Sequence, residues 1–261
     1  MLRYAHTHIP KTAGTYFNYL LASAYGSGFV QIPESWEAEE IDRVPSFGNA
    51  VSADCLRSMT SNNTAIEVCS SHYLMPTDEL LTEFPSLKFI AFIRNPKERL
   101  VSDYSHKCEL VNGAPDLEQW LSKRHNLQVA MLDQHADVQN ILNKVRSGRL
   151  VIFRTEEVES ALLELFGIDI KTTKSSYITA PRNENRGANY KQYAISAIGG
   201  LDTRKFLDKE FELYHSLASV QQGITLNAGL PLWPRALLNQ YASKLQSFRV
   251  RKNKSEQPDC C

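Results

Sequence analysis

The chain has 261 residues, 43% of them hydrophobic, which is enough for one sizeable core. Its 29 Lys and Arg balance 29 Asp and Glu, so no global field draws nucleic acid or an anionic membrane, and an acidic ligand must be caught by a local patch. No apolar run approaches the roughly 18 residues of a membrane span, and strand-like sequence starting close to Met1 argues against a secretory leader.

The first element is a β-rich run, Tyr4–Ile9, broken by Pro10. Lys11-Thr12-Ala13-Gly14-Thr15 then forms a small-residue turn. After it Tyr16, Phe17, Leu20, Leu21 and Ala24 repeat at helical spacing, which predicts a helix over Thr15–Tyr25. A strand, a tight loop and a helix N-terminus make an anion-binding device. Backbone N–H groups and the positive end of the helix dipole face the loop, and Lys11 adds a full charge. The ligand this chemistry suits is a phosphate or sulfate ester. The loop is not the nucleotide-hydrolase motif G-x-x-x-x-G-K-[S/T], because Lys11 precedes Gly14 and no glycine lies four to six residues upstream. Thr12 beside Lys11 keeps a metal-dependent kinase open as an alternative, and so does an ordinary β–α turn with a surface lysine.

Ala65–Ser70 is a second strand candidate, followed by Ser71-His72-Tyr73. Leu87–Ile93 is almost continuously apolar, as a strand buried on both faces should be. Asn95 and Pro96 then fit the N-cap and first position of a helix. Asp116–Gly148 reads as helical, with Leu117, Trp120 and Leu121 and then Val138, Ile141, Leu142 and Val145. Leu150–Phe153 is a fourth strand. Thr155 caps the next helix, whose Val158, Leu162, Leu165 and Phe166 share one face and which Gly167 ends. Arg182–Gly187 is a polar loop. Arg204–Gln222 and Arg235–Phe248 are amphipathic helices that pack on the domain, and residues 249–261 form a frayed polar tail. Alternating β and α elements predict an α/β fold. The expectation is one P-loop-like three-layer domain over residues 1–248, with a central mostly parallel sheet, helices on both faces and a helical C-terminal part.

In open parallel sheets, ligands sit outside the carboxyl ends of the strands. Lys11 follows the first strand, His72 the second and Arg94 the third, so independent counts bring three polar groups to one edge. Here the sequence resembles a known family. His8 to Thr15, H-I-P-K-T-A-G-T, is similar to the 5′-phosphosulfate loop of sulfotransferases that use 3′-phosphoadenosine 5′-phosphosulfate (PAPS). Phe92 to Tyr104, F-I-R-N-P-K-E-R-L-V-S-D-Y, resembles their 3′-phosphate segment, in the expected order. The nearest flavour is the carbohydrate enzymes, of the heparan-sulfate 2-O and 6-O type and their bacterial relatives.

The resemblance implies that Lys11 contacts the 5′-phosphosulfate and that Thr12, Ala13, Gly14, Thr15 and Tyr16 line it as loop donors, mainly through the backbone. It implies that Arg94 and Ser102 bind the 3′-phosphate and that His72 is the base. It further implies that the segment from Arg182 to Arg186 closes on the nucleotide, although the R-K-G element of the cytosolic small-molecule enzymes is missing. PAPS would be the donor and a hydroxyl-bearing acceptor, of carbohydrate type, the partner. Sulfuryl transfer needs positioning and charge stabilisation rather than a metal, and no D-x-D or histidine cluster occurs in the sequence.

Each assignment has a plainer competitor. His6 and His8 share one face of the first strand and read as packing residues, and His106 as a helix-surface residue. Arg99 reads as a salt-bridge anchor rather than a phosphate ligand. Glu34 and Glu67 are alternative bases that fit less well than His72. A P-loop-type kinase using ATP and Mg²⁺ and a non-catalytic nucleotide- or glycan-binding module are the rival functions. The five cysteines, Cys55, Cys69, Cys108, Cys260 and Cys261, lack metal-ligand spacing and read as free thiols in a reducing compartment. A cytoplasmic location is therefore expected, with a trimmed domain of a membrane-anchored parent as the alternative.

Overall fold

The computed structural model describes residues 2–32, 45, 47–168 and 188–221. The predicted helix at Arg235–Phe248, the tail after it, the loop with Arg182 and Arg186, Glu34, Cys260 and Cys261 lie outside the described residues.

Five strands form one sheet in the order β2-β3-β1-β4-β5: β1 (Tyr4–Thr7), β2 (Phe29–Gln31), β3 (Val68–Ser71), β4 (Lys88–Ile93) and β5 (Leu150–Arg154). Every pairing is parallel. Successive side chains leave opposite faces of a strand, and both faces here are covered. Ala5, Phe89, Ala91, Leu150 and Ile152 join one core with helices α2 (Ala53–Asn62), α3 (Asp78–Glu83) and α7 (Val138–Arg146). Tyr4, Ile90, Phe92 and Phe153 join the other, against Phe17, Leu20 and Leu21 of α1 (Gly14–Tyr25) and Leu162 and Leu165 of α8 (Val158–Phe166). Burial on both sides is why Leu87–Ile93 reads as an almost continuous apolar run, broken only by Lys88.

A third cluster packs α4 (Pro96–Leu110) against α9 (Ala188–Gly199) through Leu100, Tyr104, Cys108, Ala194 and Ile198. The helix predicted at Arg204–Gln222 is present as α10 (Arg204–Gln221). Asn95 caps α4 by accepting from the N–H groups of Lys97 and Glu98, with Pro96 at the first turn, as the sequence indicated. Gly167 ends α8 in the left-handed region.

The segment 116–148, read as helical, forms three short helices, α5 (Leu117–Ser122), α6 (Leu127–Ala130) and α7. The breaks fall at Asn126 and Ala136, both with positive φ. Asp133 and Asp137 hold the second break, accepting from the backbone N–H groups of His135 and Asp137 and of Gln139 and Asn140 respectively. Thr155 does not cap α8 directly. It opens a 3₁₀ turn, and its hydroxyl donates to the Ile93 carbonyl at 3.1 Å. Among the described residues, no helix is long and apolar enough to cross a membrane.

Candidate functional site

β1 has β3 on one side and β4 on the other. The chain leaves β1 toward β2 and β3 and then crosses to β4, so the connections diverge at the carboxyl end of β1. Such a divergence opens a crevice. A cavity of about 970 Å³ lies there, lined by His8, Lys11, Ala13, Gly14, Thr15 and Tyr16 from the β1–α1 loop. Arg94, just before α4, encloses it with Lys97, Glu98, Val101, Ser102 and Ser105 of α4, Thr155 and Glu156 after β5, Glu159 of α8, and Lys191 and Ile195 of α9.

The β1–α1 loop is strained. Lys11 and Ala13 both have φ of 66°, a conformation that costs a non-glycine residue about 1–2 kcal/mol. Left-handed residues in a tight turn are one of the backbone patterns from which anion-binding concavities are built. The helix behind it is left open as well. Ser52, Thr77, Asn95, Asp116 and Asp137 each accept a backbone N–H at the starts of α2, α3, α4, α5 and α7. At α1 the capping position is Ala13, with no side-chain cap and no acidic residue in the first turn. Phe17 N–H donates to the Ala13 carbonyl at 3.0 Å, and the positive end of the helix faces the loop with no acidic side chain in its first turn.

Gly14 is required by close approach. A Cβ there would lie 2.0 Å from Cδ2 of the His8 ring. Gly14→Ala must push that ring aside, and we expect a loss of about 1–3 kcal/mol in denaturant unfolding together with weaker anion binding. Unchanged stability and affinity would show that the ring yields freely.

His8 links this loop to His72. The two rings stack with centroids 4.0 Å apart, and Nδ1–H of His72 donates to the His8 carbonyl. That bond fixes the tautomer, so in the neutral ring the lone pair sits on Nε2. His72 immediately follows β3, but it does not line the cavity itself. His8 does, so the reading of His8 as mere packing is incomplete. His6 does pack. It is fully buried, with Nδ1 at 2.8 Å from Asn18 Oδ1 and 2.9 Å from Ser70 Oγ.

Burial holds both inner histidines in the neutral form. Desolvation, opposed by the Asn18 hydrogen bond, pushes the His6 pKa down to about 3. Desolvation, then the neighbouring His72 and His6 charges, holds His8 well below the ordinary value. In the unfolded chain both titrate near about 6.5. Below that pH the unfolded state binds protons that the folded state refuses, so stability is full above it and is lost on acidification toward about 3. Each such histidine contributes up to about 1.4 kcal/mol per pH unit. Thermal melts between about pH 7 and 4 should therefore show Tm falling more steeply in the unsubstituted chain than in His8→Phe. Parallel slopes would remove His8 from this account.

The remaining sequence candidates are distributed as follows. Lys11, Ala13, Gly14, Thr15, Tyr16, Arg94 and Ser102 meet at one cavity. The Thr12 side chain turns inward, fully buried, and donates to the Ile9 carbonyl at 2.8 Å. Arg94 reaches Glu98 at 3.3 Å on the partly exposed wall. Arg99 is fully buried in ion pairs with Asp103 and Glu210, as an anchor should be. Glu67 precedes β3 at the opposite edge of the sheet, where it pairs with Arg3 at 3.7 Å, and so is out of place as a base. Sequence reasoning missed Lys97, Ser105 and Lys191. Ser105 was accessible, since Glu98, Val101, Ser102 and Ser105 follow helical spacing on one face of α4. Lys191 was not, because only the docking of α9 on α4 brings it in.

Among the described residues no group of three or more His, Cys, Asp or Glu side chains is arranged to hold a metal. The sulfotransferase family profile matches residues 4–179, more than half of the chain. A crystal structure of a sulfotransferase from Alicyclobacillus acidocaldarius is similar at 11% identity and a TM-score of 0.41, covering 63% of this chain and 77% of that one. No curated protein sequence matches the chain.

Proposed function

The chain belongs to the sulfotransferase family, and from that premise we propose that it moves a sulfuryl group from PAPS to a carbohydrate hydroxyl. One observation carries the reading: a single cavity joins the uncapped α1 loop with Lys11 to the Arg94–Ser102 face of α4. Those are two separate anion-binding surfaces, and the donor has two separate anionic groups. The residues fit it. The loop at Lys11–Tyr16 suits the 5′-phosphosulfate. Arg94 and Ser102, with Lys97 and Lys191 nearby, suit the 3′-phosphate. Arg182 and Arg186, outside the described residues, are proposed as further nucleotide contacts, as the resemblance implies.

In this reading Nε2 of His72 takes the proton of the acceptor hydroxyl. The acceptor oxygen bonds to sulfur as the bond from sulfur to the bridging oxygen breaks in line. Lys11 and the loop N–H groups stabilise the charge that grows on that leaving oxygen, and adenosine 3′,5′-bisphosphate departs. Carbohydrate is favoured as acceptor because the two motifs resemble those of the carbohydrate enzymes. Incubation of the full chain with PAPS and a panel of glycans, read by bisphosphate release and by product mass, tests the proposal. Sulfated glycan supports it. Bisphosphate release with a non-carbohydrate hydroxyl alone would overturn the acceptor class.

A further inference from the structure

We propose that Gln128 is a positioning residue of the donor site and acts through the main chain of Arg94. The inference rests on the assignment of Arg94 to the nucleotide. β4 makes its last ladder pair at Ile93 with Arg154, so the Arg94 peptide groups must find partners elsewhere. Gln128 supplies both. Its Oε1 accepts from the Arg94 N–H at 2.8 Å, and its Nε2 donates to the Arg94 carbonyl at 3.1 Å. The side-chain amide thus imitates one more rung of sheet, at a residue that lines the cavity. The Arg94 donor and acceptor also fix which way the amide points.

Gln128 is itself held. It is 1% exposed. Its second Nε2 hydrogen goes to Glu210 Oε2 at 2.7 Å and its backbone N–H to Glu210 Oε1 at 3.0 Å. Glu210, on α10, is equally buried. Its N–H is accepted by Asn126 Oδ1 at 3.2 Å, and its carboxylate pairs with Arg99 at 3.3 Å. Asp103 joins Arg99 at 3.4 Å and Arg124 at 3.3 Å. A satisfied buried polar network is rigid; the side-chain polar atoms of Gln128, Glu210 and Arg99 all find partners, whereas Nη1 of Arg124, at the far end, has none among the described residues. The network runs from α10, beyond the residues the family profile matches, to the backbone under Arg94.

Gln128→Met keeps the length of the side chain and removes both bonds to Arg94. The expected result is about a tenfold loss in affinity for adenosine 3′,5′-bisphosphate by calorimetry, the scale of one unsatisfied buried group. The discriminating step is a double-mutant cycle with Arg94→Ala. Without a guanidinium to aim, Gln128→Met should cost little further affinity. An equal loss in both backgrounds, or no loss in either, overturns the proposal, because a purely structural role does not depend on the Arg94 side chain. If Gln128→Met does not fold, Glu210→Gln loosens the same clamp while keeping one acceptor oxygen, and the same cycle applies. Failure of the unsubstituted chain to bind the bisphosphate would overturn the donor assignment and this inference with it. Bisphosphate binding that depends on Arg94 but not on Gln128 would overturn the inference alone.

Discussion

Lys11→Ala is expected to lower kcat for sulfuryl transfer by at least about 10²–10³-fold, the cost of removing one preorganised group from a developing anion. Lys11 adds the full charge in a loop otherwise built of backbone donors, and the bridging oxygen gains charge only as the bond to sulfur breaks. Its effect should therefore fall on turnover more than on ground-state binding. The backbone offers a control. Lys11 sits at a φ of 66°, where glycine is at ease and other residues are not. Lys11→Gly should accordingly be as inactive as Lys11→Ala while unfolding within about 1 kcal/mol of the unsubstituted chain. Full turnover in either variant would refute the role given to the lysine.

His72→Asn should lower kcat by about 10²–10⁴-fold, the usual span for a lost general base, and leave bisphosphate affinity unchanged. The substitution is chosen because an asparagine amide can still donate to the His8 carbonyl, so the turn after β3 keeps its anchor. The rise of kcat with pH that a histidine base imposes should also disappear. A variant that retains both turnover and the pH dependence would remove His72 as base. Loss of bisphosphate affinity would instead place His72 in the donor site.

The residues that build this site differed in how visible they were in the sequence. β4 announced itself because a strand buried on both faces needs an apolar run, while β1, β3 and β5 showed only as short β-rich runs between turn and helix signals. β2 did not: Phe29–Gln31 is three residues long, lies at the sheet edge and is only partly buried. α2 buries only Ala53 and Leu56, too few for a periodic signal. The Lys11 loop and Arg94 were legible because a phosphate-type site is made of local pieces: a turn, a helix start and a cation. Arg99 was legible as an anchor because Asp103 lies one helical turn away. The service of His8 to His72 was hidden, since 64 residues separate them and stacking has no sequence signature. The Gln128 clamp was hidden for the same reason, as its partners come from β4 and α10.

The most direct test is calorimetric titration of the full chain with adenosine 3′,5′-bisphosphate, repeated with ADP and Mg²⁺. Micromolar affinity for the bisphosphate is expected, on the order of −8 kcal/mol, weakened about 10–100-fold but still measurable in Arg94→Ala and not matched by ADP with the metal. Preference for ADP with Mg²⁺ would contradict it and favour a kinase.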